Sequence, residues 1–397
     1  MKYLKNSSIA KKYQVSDPTV GKWIRLAQQD KNNLELKKVK NRHYIIDNEA
    51  NHQVLRFLSD RGAKYRNKIG YEKVNPDPEI YKTFNESQLI ELIINLKKKN
   101  LPTKFTYFGG GAKYWYQATT SNSDYYQNKT VRNINSSLEY IITRLGKYEH
   151  VNIVDFNPET AYPARTVIQR LLKENINVSY SALHASSFML ENTKKEICSN
   201  FRNIQQTYKT EDIEYSIIRD DLYKSKNLKK NSCNLILFLE CAIGNHTDRN
   251  NILKNFSNSM SKGDYLLIDA EIKSAIDFEL VNKFLNTDVP KDAAFWTLNN
   301  LGVNQSMFDF QVKYIEKIDS QAHIYKFKKD VDIEFYSDFF DEVVSFRQGD
   351  ELMGISIHSF SLNELISELE KASFNISHFS CYPDVSEVLA MCEVLEY

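Results

Sequence analysis

A chain of 397 residues is longer than one ordinary core requires and predicts a small domain beside a large one. Its 42% hydrophobic and 26% charged residues are those of a globular protein, no apolar run reaches the roughly 18 residues of a membrane span, and the start MKYLKNSSIA lacks a signal-peptide core, so no membrane partner and a cytoplasmic location are expected. The net charge of +1 hides an asymmetry: residues 1 to 75 hold 12 Lys and 5 Arg against 7 Asp and Glu, a balance of +10, which leaves −9 for the rest and predicts separate partners for the two parts.

The segment SSIAKKYQVSDPTVGKWIRLAQQ reads as two short helices joined by a tight turn. Ile9, Ala10 and Tyr13 fall at helical spacing in the first, Ser16 or Asp17 caps the second, and Pro18 fits its first turn. Val20, Trp23, Ile24 and Ala27 share one face of the second helix, which leaves Thr19, Lys22 and Arg25 on the other. LELKKVKNRHYIID then alternates as two strands about a basic turn, and EANHQVLRFLSDRGAKYRNK reads as a third helix. The whole resembles the winged helix-turn-helix domains of the MerR and excisionase type. That resemblance implies double-stranded DNA as partner, with Thr19, Lys22 and Arg25 toward base edges or phosphates, Arg42 and His43 at the wing, and, by analogy, paired half-sites read by a homodimer. A basic module that touches protein is the alternative.

The pattern breaks near VNPDPEIYKTFNES, so residues 1–68 are expected as the first domain, 69–85 as a linker and 86–397 as the second. SQLIELIINLKKKN predicts a helix with a broad apolar stripe. In LPTKFTYFGGGAKYWYQ three glycines follow what reads as an aromatic strand; no Lys-Ser/Thr follows at P-loop spacing, so a flexible turn is expected.

From residue 150, apolar runs (HVNIVDF, VSYSALH, IEYSIIRDD, CNLILFLE) alternate with amphipathic helices, which predicts a parallel sheet covered on both faces. Ligands of such sheets bind at the carboxyl ends of strands, which directs attention to Asp155 to Thr160, His184, Asp220, Asp221 and the stretch Glu240 to Asn245. Five cysteines, an odd number without CxxC spacing, indicate neither a disulfide framework nor zinc, and no metal is expected. Ser356 and His358 share a strand face, but no acid stands beside them in sequence to complete a hydrolytic triad.

FLECAIGNHTDRNNILKNFSNSMSKGDYLLIDAEIK is similar to the histidine-specific, S-adenosylmethionine-dependent methyltransferases, the amino-acid N-methyltransferases of ergothioneine synthesis. The likeness rests on Phe238, Leu239, Ile243, Gly244, Asn245, Gly263, Asp264, Leu266 and Leu267, and it extends to Tyr125 and Tyr126 in SDYYQNKT, to WTLNNLGV, to FRQGDELMGISIHSF and to the helix SLNELISELEKASF. It implies an α/β fold: a Rossmann-like methyltransferase sheet at about 130–275, with an added substrate-binding subdomain from 86–129 and 276–397. It implies S-adenosylmethionine as cofactor, held by Asp155, Asn157, Thr160, His184, Asp220 and Asp221, and a small substrate or ligand held by Tyr126, Asn245 and Ser356.

The chain departs from that family at definite places. Pro158 and Glu159 replace the small residues of the cofactor turn, so Glu159 is expected to crowd the ligand. His184 stands for the ribose-binding acid, Lys129 for an arginine, Val131 for a glutamate, and Ile355 for the glutamate that accepts from histidine's imidazole. An apolar side chain cannot accept that bond, so histidine is not the expected substrate. Two functions follow: an N-methyltransferase of altered substrate range, acting on a small amino-acid-like or amine substrate and carrying a DNA-binding domain; alternatively, a transcriptional regulator whose degenerate methyltransferase domain senses a small ligand without catalysis.

Overall fold

The computed structural model describes residues 3–13, 15–29, 31–66, 71–121, 126–212, 231–246, 248–273, 275–336, 341–381 and 387–395. The chain divides into two compact units, residues 1–76 with 327–349, and residues 77–326 with 350–397.

The smaller unit opens with β1 (Tyr3–Leu4), α1 (Asn6–Tyr13), α2 (Asp17–Gln28), β2 (Leu36–Val39), β3 (Arg42–Ile46) and α3 (Glu49–Arg66). Ser16 is the N-cap of α2: its Oγ accepts from the Thr19 N–H at 3.3 Å, and Pro18 occupies the first turn. Val20, Trp23, Ile24 and Ala27 pack with Ile9, Ala10, Leu34, Ile45 and Leu55 in one buried cluster. β2 and β3 pair antiparallel about the left-handed Lys40, and β1 adds a strand in the order β1-β3-β2. At two residues, β1 is too short for alternation to announce it.

The expected linker is instead structured. Its residues form β4 (Tyr71–Val74) and α4 (Pro78–Thr83), with Asp77 as N-cap and Pro78 in the first turn. The proline that reads as punctuation starts a helix.

The larger unit continues with α5 (Glu86–Lys97), closed at its start by a capping box between Asn85 and Gln88, then α6 (Gly109–Ser121) and α7 (Tyr126–Leu145). The supposed aromatic strand before the glycines is a 3-10 turn, Thr103–Tyr107, and the glycines begin α6 rather than forming a loose turn. They permit close approach: a Cβ on Gly110 would lie 2.2 Å from the Trp296 indole nitrogen, and one on Gly111 would lie 2.3 Å from the Thr106 carbonyl oxygen.

Then come β5 (His150–Phe156), α8 (Tyr162–Lys173), β6 (Asn177–His184), α9 (Ser187–Asn200), β7 (Gln205–Thr210), β8 (Ser232–Phe238), α10 (Arg249–Ser259), β9 (Tyr265–Glu271), α11 (Ala275–Leu285) and α12 (Asp288–Asn300). After them follow β10 (Phe308–Ile315), β11 (Ser320–Phe327), β12 (Asp330–Tyr336), β13 (Asp341–Phe346), β14 (Glu351–His358), α13 (Leu362–Lys371), β15 (Phe374–Cys381) and β16 (Glu387–Val394). The expected strand at 213–221 lies outside the described residues.

Among the described residues seven strands form the main sheet in the order β15-β16-β9-β8-β5-β6-β7, and β16 alone among them runs against its neighbours. Alternate side chains supply its two cores. Val151, Ile153, Leu235, Leu237 and Leu267 bury beneath α7, α8 and α9; Val154, Phe156, Ile236, Phe238, Leu266 and Ile268 bury beneath α10 and α13. The sheet is Rossmann-like and mixed, but it does not end near residue 275 as expected. β15 and β16 return from the C-terminal region to complete it, because β9 would otherwise leave an apolar edge uncovered. A second sheet, β10-β11-β14, stands in the same unit, whereas β12 and β13 join β4 in the smaller unit in the order β13-β12-β4. Residues 327–349 are therefore not part of a substrate-binding subdomain.

Candidate functional site

In the main sheet the strand order reverses between β5 and β8, and open α/β sheets bind ligands at such a switch point, beyond the carboxyl ends of the strands. A cavity partly open to solvent lies there, with about 530 Å³ of empty space when the solvent at its mouth is counted. Its wall is made by Thr103, Lys104 and Tyr107 of the 3-10 turn, Asn157 and Glu159 after β5, His184 and Ala185 at the end of β6, Asp212 after β7, and Ala242, Asn245 and His246 after β8.

The turn after β5 is held without the glycines such turns ordinarily use. Asn157 takes the left-handed conformation, φ 53°, and its N–H donates to the Leu183 carbonyl at 2.8 Å. The N-cap of α8, Ala161, has no capping side chain. Glu240, brought across from the end of β8, takes that role: one carboxyl oxygen accepts from the N–H groups of Glu159 (2.8 Å) and Thr160 (3.1 Å), and the other from the Thr160 hydroxyl (2.6 Å). Glu240 and Cys241 are themselves left-handed, with φ 63° and 56°, a conformation that costs a non-glycine residue energy. Both of their N–H groups donate to Asp269, at 3.1 and 2.7 Å, which also accepts from the Thr130 hydroxyl at 2.9 Å. Successive left-handed amides closing on one carboxylate form an anion nest.

Burial dominates the charge states. It pushes Glu159 up to about 7 against the Tyr107 hydroxyl, which donates to it at 2.7 Å and so favours the ionised form. Asp155 likewise rises to about 7 through burial, opposed by the Tyr180 hydroxyl at 2.7 Å. Glu240 is driven well above the carboxylate range by burial and by the charge of Glu159. Burial lowers His184 to about 3, so its ring is neutral. Its Nδ1 accepts from the Ser186 N–H at 2.8 Å, which leaves the proton on Nε2.

Of the residues singled out in the sequence, Asn157, His184 and Asn245 come together on the cavity wall. Asp155 does not: it is buried on the α7–α9 face of the sheet against Tyr180. Thr160 spends both its amide and its hydroxyl on Glu240. Ser356 is buried in β14, where its N–H donates to the Thr103 hydroxyl at 3.3 Å, beside buried Ile355. Asp220, Asp221 and Tyr125 lie outside the described residues; Tyr126 begins α7.

In the smaller unit Lys22 is exposed, the Thr19 hydroxyl meets Ser16 at 2.8 Å, Arg42 is exposed, and His43 bonds Gln28 at 2.6 Å. Arg25 is exposed and forms an ion pair with Asp341 of β13, a segment far along the chain that the local pattern of α2 could not announce.

Tyr107 and Asp212 were missed as site residues, and Glu240, which opens the stretch Glu240 to Asn245 singled out in the sequence, was marked there without its capping role. Each reaches the site from a different element, so no local spacing links them. The acidic residue directly after the apolar run of β8 is the one signal that pointed to Glu240. Below the cavity, Cys241, Asp269 and Glu387 bring a thiol and two carboxyls within 4.8 Å of one another. The two carboxyls hydrogen-bond to each other, and Asp269 is already engaged by three further donors, so the group closes on itself.

Residues 85–392 match a family model described as histidine-specific methyltransferase, SAM-dependent. No curated protein matches the chain. Among solved structures, an S-adenosylmethionine-dependent methyltransferase from Clostridium acetobutylicum is similar at 10% identity and a TM-score of 0.35, over 70% of this chain and 96% of that one. CcbJ methyltransferase from Streptomyces caelestis is similar at 8% identity and 0.33, over 65% and 87%. The glycopeptide N-methyltransferase MtfA, complexed with S-adenosyl-L-homocysteine, is similar at 11% and 0.33, over 66% and 90%. These structural likenesses are slight, and the family match carries the assignment.

Proposed function

The chain belongs to the histidine-specific, SAM-dependent methyltransferase family, and from that premise we propose that it methylates the nitrogen of a small amine or amino-acid-like substrate other than histidine, and that its N-terminal part is a winged helix-turn-helix that binds DNA. One observation carries the first half: the cavity at the β5/β8 switch point, lined by Asn157, Glu159, His184 and Asn245.

That wall suits the family's cofactor. S-adenosylmethionine, when bound, supplies a methyl group already activated on a sulfonium, whose loss leaves a neutral thioether. Its sulfonium and ammonium are cations, and Glu159 and Asp212 offer carboxyls to them. The Nε2–H of His184 is a donor for a ribose hydroxyl, in place of the acceptor an acid would provide. Asn245 and Tyr126 are the residues assigned to the substrate's amino-acid end, and buried Ile355 offers an imidazole nothing to bond. Methyl transfer then asks of the protein mainly orientation and an unprotonated nitrogen.

Thermal shift with S-adenosylmethionine and S-adenosylhomocysteine tests this reading, since a ligand that binds the native state alone raises its melting point. Methyl transfer to a panel of small amines follows. No shift with either compound at millimolar concentration removes the enzyme reading.

A specific observation favours the regulator as second reading. The smaller unit is not made by the N-terminal chain alone: β12 and β13, which lie in sequence between two strands of the larger unit, pair with β4, and Asp341 of β13 takes Arg25. DNA binding measured with and without S-adenosylmethionine distinguishes the readings, because a regulator changes its DNA affinity when ligand binds and an enzyme with an independent DNA-binding domain does not. Lys22→Ala is expected to weaken duplex binding and lower its salt slope by about one.

A further inference from the structure

We propose that Glu159 reads the charge on the cofactor's sulfur, so that the site holds the sulfonium donor more tightly than the neutral thioether product. The proposal rests on the cofactor reading above and assigns a role to a residue that its position in the sequence marks only as an obstruction.

The side chain of Glu159 is free for this because its usual local duty is done by another residue. A carboxylate in the first turn of a helix ordinarily serves the helix amides. Here Glu240 already accepts from the amides of Glu159 and Thr160, and the Glu159 carboxyl is turned to the cavity wall. Among the described residues it accepts from the Tyr107 hydroxyl at 2.7 Å, and Tyr107 is held in turn by stacking on Trp115, with ring centroids 5.1 Å apart. A carboxylate accepts up to about four hydrogen bonds, so this arrangement fixes the group without saturating it.

Among the described residues no neighbouring cation neutralises it. Lys104, the one lysine or arginine among the described wall residues, is engaged by Glu91 at 2.6 Å and Asp212 at 3.1 Å. From β6, His184 faces the cavity as a neutral ring. His246 lines it beyond β8, while Glu240 after β8 and Asp269 of β9 add only negative or neutral groups behind the turn. A buried carboxyl with like charges behind it and no cation in front gains from a cationic ligand in two ways: it is permitted to ionise, and it is paired. Methyl transfer abolishes the charge at sulfur, so the same carboxyl that retains the donor ceases to hold the product, which eases exchange.

Proton linkage gives this a signature. Glu159 titrates near 7 in the free protein, and a cation lowers that value, so binding the sulfonium releases a proton. Affinity for the sulfonium then rises as pH climbs through 7 and levels above it; affinity for the thioether does not rise.

The test is isothermal titration of the full-length protein with S-adenosylmethionine and S-adenosylhomocysteine between pH 6 and 8.5, for wild type, Glu159→Gln and Tyr107→Phe. Wild type is expected to prefer the sulfonium by about tenfold at pH 8 and by less at pH 6. Glu159→Gln, whose intact fold is checked by its cooperative thermal unfolding, is expected to lose the preference and its pH dependence. Tyr107→Phe removes the donor that favours the ionised acid, so the rise in affinity is expected at higher pH. Equal affinities for the two compounds in wild type, or a preference unchanged in Glu159→Gln, overturn the proposal. Failure of wild type to bind either compound instead overturns the cofactor reading beneath it.

Discussion

The first turns of α2 and α8 solve one problem in opposite ways. Each helix starts with amides that no carbonyl of the helix can satisfy. In α2 the partner is three residues from the amide it serves: the Ser16 hydroxyl accepts from Thr19. In α8 the N-cap is an alanine, and the partner is Glu240, contributed by the loop after another strand and aimed by Asp269 of a third. A cap written locally is independent of the rest of the fold. A cap delivered across the sheet ties the turn after β5, the loop after β8 and β9 into one polar network, and damage should spread accordingly.

The most severe break is expected at the far end of that network. Asp269→Ala leaves the amides of Glu240 and Cys241 and the Thr130 hydroxyl without their acceptor in a buried site, and removes what holds two left-handed residues in place. A loss of roughly 3–5 kcal/mol is expected in denaturant unfolding, since each unsatisfied buried donor costs about 1–3 kcal/mol. A loss below about 1 kcal/mol would mean that the turn keeps its shape unaided.

One step nearer the helix, Glu240→Ala removes the remote cap itself and is expected to cost about 2–3 kcal/mol, with Glu240→Gln intermediate because its amide retains one acceptor oxygen. Both substitutions should also weaken S-adenosylmethionine binding, because the turn they loosen carries Asn157 and Glu159 onto the cavity wall. Binding unchanged in a destabilised Glu240→Ala protein would separate the cap from the site.

A third measurement uses protons. Glu159 has a folded value of about 7, above its unfolded one, so its contribution is fully present below the unfolded value and is lost as pH rises toward 7. Wild type is therefore expected to lose stability relative to Glu159→Gln between about pH 5 and 7, by about 1–2 kcal/mol. Comparison with the variant cancels His184, whose depressed value makes stability rise with pH over part of the same range. A flat difference would place the Glu159 carboxyl in water.

The same contrast explains what could be read from the chain. The parallel sheet, both helices of the N-terminal turn, Pro18 in its first turn and the cavity residues Asn157, His184 and Asn245 were legible, because each follows from residues within a turn or a strand of one another. The roles of Glu240, Tyr107 and Arg25 were not, since their partners arrive from other elements. Asp155 and Thr160 carried the expected side chains at the expected places, but Tyr180 and Glu240 had already claimed them. The linker failed for a related reason: β4 is four residues long and becomes a strand through pairing with β12. The triple glycine misled because its cause, the Trp296 ring against Gly110, comes from α12.

The smallest effect is expected where the cap is local. Ser16→Ala removes the acceptor for the Thr19 amide and the contact with the Thr19 hydroxyl at 2.8 Å, but the site is exposed, so water replaces the lost partner. The loss should be about 1 kcal/mol, and Ser16→Asp should restore it, because an aspartate serves the same amide and favours the positive end of the helix. The effect should also stay within the smaller unit: α2 is braced by Val20, Trp23, Ile24 and Ala27 in a cluster that, among the described residues, includes none of the main sheet. Amide hydrogen exchange therefore should quicken in α1 and α2 and remain unchanged in α8, whereas Glu240→Ala should do the reverse. If Ser16→Ala also loosens α8, or costs as much as Glu240→Ala, then the N-terminal cap is not the independent, local device that its three-residue reach implies.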